Sequence, residues 1–424
     1  MSMREPGFIE GAMDFLRRGG GPAVESIYQR PVITAAGVWR RALDKTCFIG
    51  ITGSAGKTTT KELLHAALAI GSRCIKSFDS DNVLYPTART LMRVAPWTQY
   101  CVQEVGLSAP DAFEPILRLL RPRVGIVTNI GMDHLRTQKQ VAEAKGKLIA
   151  CLPADGLAVL NTDDELVAGM ASRTSARVVT YGFGKNADYC GEVVSASWPS
   201  RLVMHIRHRD TETLLVTRLL GSYQGTNVLA AIACAHSLGV PMADIVAGIG
   251  GHRPLLGRMS VHTTDGGITF IRDDFKAPAW AFQSALRYMA EARAARKVIV
   301  IGTISSHGGS KKESRNYQQA LSTAAEAADQ VLLVGPRAQS RLKRMGEAES
   351  AGRIHAFESV RDASGWLGKY LRPGDLVLLK GSNRADHLAR LALSVDRQVQ
   401  CWRDRCGWVK FCDHCRLIDK PALP

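Results

Sequence analysis

The segment Gly50-Ile-Thr-Gly-Ser-Ala-Gly-Lys-Thr-Thr-Thr60 constrains this chain more than any other stretch. It follows the apolar run Thr46–Ile51 and opens the helical pattern Thr58–Ile70, so the sequence predicts a strand, a tight loop and a helix in direct succession. Glycine lets the backbone wrap a phosphate closely, and the loop Gly53, Ser54, Ala55, Gly56, Lys57, Thr58 and Thr59 would cradle phosphate oxygens with its amides at a helix N-terminus. Lys57 would neutralise the β and γ oxygens, and the Thr58 hydroxyl would ligate Mg²⁺. A glycine-rich turn with a solvated lysine is the plainer alternative, and the strand–loop–helix context argues against it.

Other short apolar runs, at Tyr100–Val105, Val124–Thr128, Val298–Ile301, Val331–Val334 and Leu376–Leu379, alternate with helical patterns at Asp111–Leu120, Val141–Ala150 and Asn227–Leu238. That alternation predicts an α/β protein with mainly parallel sheets. The stretch Ala187–Arg218 alternates like antiparallel hairpins, an appendage of the first large domain. Gly248, Gly250, Gly251, Pro254 and Gly257 crowd together and predict a hinge near residue 255. The expected organisation is an N-terminal helical extension over 1–45, a central P-loop domain over 46–255, a Rossmann-like C-terminal α/β domain over 256–398, and a Cys-rich tail over 399–424.

Composition narrows the class. Of 424 residues, 46% are hydrophobic and 22% charged, an ordinary globular balance, and no apolar run is long enough to span a membrane. Glu5, Glu10 and Asp14 interrupt the N-terminus before a secretory signal could form, so a cytoplasmic location without membrane attachment is expected. A formal charge of +16 favours anionic partners, but it is spread along the chain and no nucleic-acid motif accompanies it. Cys47, Cys74, Cys101, Cys151, Cys190 and Cys234 are scattered singly, as reduced thiols are. Cys401, Cys406, Cys412 and Cys415 instead follow a C-x₄-C-x₅-C-x₂-C spacing that can bind a structural Zn²⁺, with His414 as an alternative ligand and free or paired thiols as the bland reading.

Ile51 stands where the general G-x-x-x-x-G-K-[ST] pattern has its first glycine. The stretch Thr52–Thr59 reads T-G-x-x-G-K-T-T instead, which resembles the Mur ligase and folylpolyglutamate synthase form. Further motifs follow in Mur ligase order from about Phe48 to Leu388, and they are most similar to the branch that adds D-alanyl-D-alanine to a UDP-muramoyl tripeptide. After Asn82-Val-Leu-Tyr-Pro86, the strand end Gln103-Glu-Val-Gly106 offers Glu104, which the resemblance makes a Mg²⁺ ligand. Asn129-Ile-Gly-Met-Asp-His134 resembles Asn-x-x-x-Asp-His and implies His134 as a metal ligand. Lys145, in Ala142–Leu148, matches the lysine that family members carbamylate to bridge a second Mg²⁺.

Gly221-Ser-Tyr-Gln-Gly-Thr-Asn227 is similar to Gly-x-His-Asn-x-x-Asn, with Tyr223-Gln224 in place of His-Asn, so Gln224 and Asn227 are the implied adenine contacts. Gly257-Arg258-Met259 matches Gly-Arg-Met, whose arginine meets the nucleotide phosphates. Arg272-Asp-Asp-Phe-Lys-Ala-Pro278 offers Asp274, or its neighbour Asp273, and Lys276 for nucleotide or acyl-phosphate contact. Lys380 and Ser382 fall where the resemblance places the incoming amine.

The resemblance implies an ATP-dependent carboxylate–amine ligase acting through an acyl phosphate, with small-molecule acid and amine substrates and release of ADP and phosphate. Its rivals are a catalytically idle nucleotide-binding scaffold serving a protein partner, and a genuine peptidoglycan-precursor ligase. About 45 residues precede the first strand, too few for a UDP-gripping domain, so an acid other than a UDP-muramoyl peptide held in the usual way is expected. The acceptor loop Gly302–Ser310 also departs from the branch's pattern.

Overall fold

A computed structural model of the chain describes residues 22–107, 112–131, 137–305, 309–343, 352–404 and 411–420. His134, Cys406 and part of the acceptor loop lie outside them. The described residues divide into two compact units. One is the chain up to Gly191 with Ile206–Glu212 and Thr226–Gly250; the other is Glu192–His205, Thr213–Gly225 and the chain from Gly251 onward.

The first unit is organised around β1 (Cys47–Thr52), with β2 (Cys74–Lys76), β3 (Tyr100–Glu104), β4 (Val124–Val127), β5 (Leu157–Asn161) and β6 (Arg177–Gly182). β7 (Tyr189–Ser195), β8 (Val203–His208) and β9 (Thr211–Val216) follow in the chain, with residues assigned to both units, and the strand order is β2-β3-β1-β4-β5-β6-β7-β8-β9. Every ladder from β2 to β6 is parallel. β1 is central and covered on both faces, which is why its sequence is an unbroken apolar run with Phe48, Ile49 and Ile51 fully buried. Phe48 packs with Leu117, Leu120 and Leu148 of the flanking helices Phe113–Leu120 and Gln138–Ala150. A capping box at Thr137 and Gln140 starts the second of these helices and so fixes the register of Lys145.

In the second unit, β10 (Ser260–Thr263), β11 (Thr269–Asp273), β12 (Lys297–Ile301), β13 (Gln330–Val334), β14 (Ile354–Phe357) and β15 (Leu376–Lys380) form a sheet ordered β10-β11-β15-β12-β13-β14. Only the β10–β11 pair is antiparallel. Separate apolar clusters cover its two faces, one around Phe282, Leu286 and Ile299, the other around Phe270, Val300 and Leu379. Asp386 ties two strand-end loops together. Its carboxylate accepts from Thr303 N at 2.8 Å, Thr303 Oγ1 at 2.5 Å and Ser382 N at 2.8 Å.

The zinc expectation finds no support among the described residues, and one of its four cysteines, Cys406, lies outside them. Among the described residues no three His, Cys, Asp or Glu side chains gather as a metal site. Cys412 is turned into an apolar cluster with Ala389, Leu393, Val399 and Ile418. Cys401 is buried with its amide bonded to Ile418 O at 3.0 Å, and Cys415 lies partly buried at the cluster's edge.

His387 supports this seat from below, with Nδ1 3.5 Å from Cys412 Sγ and a left-handed φ of 52°. Burial, then the Arg390 charge, pulls its pKa down to about 4. An unfolded imidazole titrates near 6.5, so the unfolded chain takes up its proton first as pH falls. The contribution is therefore full above about pH 6.5 and is lost toward about pH 4. Asparagine tolerates left-handed backbone, so His387→Asn should flatten the fall in Tm between about pH 7 and about pH 4.5; an equally steep fall would place the acid-sensitive group elsewhere.

Candidate active site

β1 ends at Thr52 and the next helix starts at Lys57, which leaves Gly53–Gly56 as a short loop at the C-terminal edge of the sheet. Gly53 has φ 143° and Gly56 φ 78°, and a Cβ at either position would overlap Thr128 Oγ1 or Asn227 Oδ1 respectively. Both positions therefore need glycine, for backbone conformation and for space. The β4 end buttresses the loop: Asn129 O accepts from Ser54 N at 3.0 Å, Asn129 Oδ1 accepts from Ala55 N at 2.8 Å, and Thr128 Oγ1 donates to Ala55 O at 2.5 Å. The first helical bond here, Thr60 N to Gly56 O at 2.8 Å, leaves the amides of Lys57, Thr58 and Thr59 as the open end of the helix.

Charge is concentrated beneath this loop. Lys57 Nζ donates to Gly53 O at 2.7 Å and Ser54 O at 3.3 Å. Glu104, at the end of β3, is 2% exposed; its Oε2 accepts from Thr58 Oγ1 at 2.7 Å and its Oε1 from Asn82 Nδ2 at 2.9 Å. Burial pushes the Glu104 carboxyl up, but the Lys57 charge and the bonds from Thr58 and Asn82 outweigh it and hold the pKa below the ordinary value. Lys61, one helical turn on from Lys57, is fully buried and donates to Ser77 O at 2.9 Å and to Asp79 O. Glu62 lies 3.1 Å from its ammonium.

Glu104 and the Thr58 hydroxyl are adjacent oxygen donors next to a phosphate-type loop, a donor set suited to a hard divalent cation. Lys145 is 1% exposed, so its helix face is an interior one and not the solvated face usual for lysine. Asn227 lies over Gly56 with Oδ1 accepting from Thr60 Oγ1 at 3.3 Å. The sequence reading gave no role to Lys61, Thr128 or Asn129, or to Asn82 beyond its motif. The order strand–asparagine at Val127–Asn129 is the one signal for these, and it needs the β1–β4 pairing to be interpretable.

In the second unit, Gly257 is left-handed at φ 71° and its carbonyl accepts from Phe275 N at 3.1 Å, so the Gly257–Arg258 turn and the loop after β11 are joined. The Arg258 guanidinium lies 4.8 Å from the Phe275 ring centroid and the Lys276 ammonium 5.7 Å from it. Asp274 is 1% exposed and forked by Arg272, Nε to Oδ1 at 3.3 Å and Nη2 to Oδ2 at 3.1 Å. Its neighbour Asp273 reaches Lys380 Nζ at 2.6 Å. Gln224 is also buried in this unit.

Comparison with known proteins follows the same division. The Mur ligase middle domain matches residues 51–235, and the Mur ligase glutamate ligase domain matches residues 257–383. This chain belongs to the Mur ligase family. As a Mur ligase it is an enzyme of the ATP-dependent class that forms carbon–nitrogen bonds. The UDP-N-acetylmuramoyl-tripeptide–D-alanyl-D-alanine ligase of Bacillus subtilis (strain 168) is 27% identical over 345 residues, covering 80% of this chain and 73% of that protein. The Mycobacterium tuberculosis (strain H37Rv) ligase of the same name is 28% identical over 427 residues, covering 96% and 82%. Among solved structures, MurF from Acinetobacter baumannii superposes with a TM-score of 0.78 at 22% identity, covering 87% of this chain and 80% of that one. MurF ligase from Thermotoga maritima, solved with ADP, superposes at 0.71 and 20% identity, covering 86% and 82%. These structural likenesses establish the fold. No helix among the described residues is long and apolar enough to cross a membrane.

The loop geometry makes a sharp prediction. Gly56→Ala would force a side chain into a left-handed position against Asn227, so nucleotide affinity should fall at least about tenfold in a fluorescent-ADP titration, about 1.4 kcal/mol; unchanged affinity would mean that the loop does not hold phosphate.

Proposed function

We propose that this Mur ligase joins a small-molecule carboxylate to an amine, as an amide, with a site centred on Lys57. The observation that most supports this is the packing of Gly53–Gly56, Lys57, Thr58 and buried Glu104 into one cluster at the sheet edge. In the proposed reaction a carboxylate oxygen of the acid attacks the γ-phosphorus of ATP, the bond from that phosphorus to the β–γ bridging oxygen breaks, and ADP leaves. The amine nitrogen then adds to the acyl carbon, loses a proton, and expels phosphate. Lys57 and the amides of Lys57, Thr58 and Thr59 hold the β and γ phosphates against the loop. Thr58 and Glu104 would hold Mg²⁺, which when bound neutralises charge as the anionic acid approaches the triphosphate.

Family resemblance adds His134 and Lys145 as further ligands to metal, Gln224 and Asn227 for the adenine, Arg258 and Asp274 for the nucleotide, and Lys276 for the acyl phosphate. Because Asp274 is forked by Arg272, we assign it to orienting the loop that carries Lys276. We assign residues 46–255 to ATP binding and 256–398 to the C-terminal ligase domain, and the cytoplasm as the compartment where ATP is consumed. D-alanyl-D-alanine and UDP-muramoyl tripeptide, named for the relatives, are the first amine and acid to try, followed by pooled amino acids and dipeptides.

Incubation with ATP, Mg²⁺ and these pools should release phosphate and give a product whose mass equals acid plus amine minus water. Lys57→Ala should cut the rate by about a hundredfold or more, as expected for loss of a charge-stabilising group at the transition state. Phosphate release that ignores both acid and amine, or that survives in Lys57→Ala, would sink the proposal.

A further inference from the structure

The tail beyond residue 383 lies outside the two matched family domains, and it is seated on the loops assigned to nucleotide and acyl phosphate. Three side chains make the seat. Phe411 stacks on Phe275 with ring centroids 5.5 Å apart and planes 27° from parallel. The same ring closes over Gly257, where a Cβ would lie 2.9 Å from Phe411 and 3.1 Å from Asp274 Oδ1. Asp413 accepts from Arg272 Nη1 at 2.5 Å, while the other edge of that guanidinium forks Asp274. Cys412, between them, turns inward onto His387, the residue after the Asp386 that joins the Thr303 and Ser382 loops.

Arg272 is the pivot. It is 0% exposed, and a cation so placed is tolerable only with its charge met on both sides. Asp274 meets one side from within the loop, and Asp413 meets the other from the tail, 141 residues later. Asp413 Oδ2 is itself buried with no hydrogen-bond partner among the described residues, a cost that goes with holding the other oxygen on Arg272. The tail is anchored independently of these contacts. Gln400 N and Cys401 N both donate to Ile418 O, at 2.9 and 3.0 Å, and Arg390 Nη1 donates to Cys401 O at 3.1 Å and Arg403 O at 3.0 Å. Ile418, Cys412 and Val399 share one apolar cluster with the helix Ala389–Asp396. A rooted segment thus presents one aromatic ring and one carboxylate to the turn that carries Arg258 and the loop that carries Lys276.

We infer that Phe411 and Asp413 are positioning residues, and that the tail acts as a strap holding the Gly257–Arg258 turn and the Asp274–Lys276 loop in register. The catalytic part of this inference rests on the ligase reading above; the ordering part does not. Supporting contacts of this kind, acting through the groups that touch a ligand, are worth about 10- to 100-fold when removed.

The test compares the full-length protein with Phe411→Ala, Asp413→Asn and the ring-preserving Phe411→Tyr. Hydrogen exchange is read at the amides of residues 257–259 and 274–276, alongside Tm, ADP affinity and, with a productive acid–amine pair, kcat and KM for ATP. Phe411→Ala and Asp413→Asn should speed exchange at both loops and lower kcat/KM by about tenfold or more, while Phe411→Tyr restores both. Unchanged exchange overturns the strap whether or not the enzyme turns over. A lower Tm with kcat and KM intact also overturns it, because that is the signature of a merely structural tail. If the wild-type protein releases no phosphate with any acid and amine, the ligase reading fails separately. ADP affinity then decides the strap: weaker binding in the two variants supports it and equal binding overturns it.

Discussion

The parallel register of β1 against β3 and β4 is the constraint on which the site depends. Ile51 pairs with Glu104 on one side and Thr52 with Val127 on the other, so three strand ends stop at one level of the sheet. The phosphate-type loop leaves from the middle strand, a carboxylate ends one neighbour, and Thr128 and Asn129 end the other. A shift of one residue in either ladder would turn Glu104 away from Thr58 and remove Asn129 from the amides of Ser54 and Ala55. Burying β1 on both faces is what makes such a shift costly, because its apolar run has no solvent-tolerant alternative.

The charged groups are stable because each is matched locally. Glu104 is almost fully buried and yet held ionised, because a lysine, a hydroxyl and an amide converge on it. Burial depresses the pKa of Lys61, and Glu62 and Glu104 work against that shift while the Ser77 and Asp79 carbonyls accept its hydrogens. In the other unit Arg272 is held above its ordinary value: burial opposes its charge, but Asp274 and Asp413 together outweigh it. Both units therefore place a buried ion, met by opposite charge, directly behind a loop that the ligase reading gives to substrate. Such ions add little net stability and much geometric definition, since any movement leaves one of them uncompensated.

Much of this was legible in the sequence, for identifiable reasons. Continuous apolar runs marked β1, β3, β4, β12, β13 and β15, and the spacing of Gly53, Gly56 and Lys57 marked the loop, because both patterns are local. The alternation over Ala187–Arg218 became β7, β8 and β9, with Leu202 N bonded to Leu219 O at 2.9 Å and Thr217 N to Leu202 O at 3.1 Å at the base of the β8–β9 hairpin. What stayed hidden depends on pairing between distant segments. Asn82 and Asn129 acquire meaning only once β3 and β4 flank β1. The cysteine spacing in the tail suggested coordination, whereas the contacts that seat the tail run through Phe411 and Asp413, which belong to no motif. Asp274 and Asp273 are adjacent and chemically alike, and only the fold sends one to Arg272 and the other to Lys380.

The seat of the tail also bears on the order in which the molecule is made. A chain synthesised at about 5–20 residues per second folds its N-terminal parts first. Asn227 emerges roughly nine to thirty-four seconds after Gly56, and Asp413 roughly seven to twenty-eight seconds after Arg272, on that estimate. Until then Arg272 has only Asp274 to meet its charge, and Phe275 lacks its stacking partner. The segment around Asp413 thus completes a charge pair begun 141 residues earlier, so a chain stopped before it would carry the loop sequences without the contacts that fix them. The loops of the second unit are therefore held by their full set of contacts only once synthesis has passed Asp413.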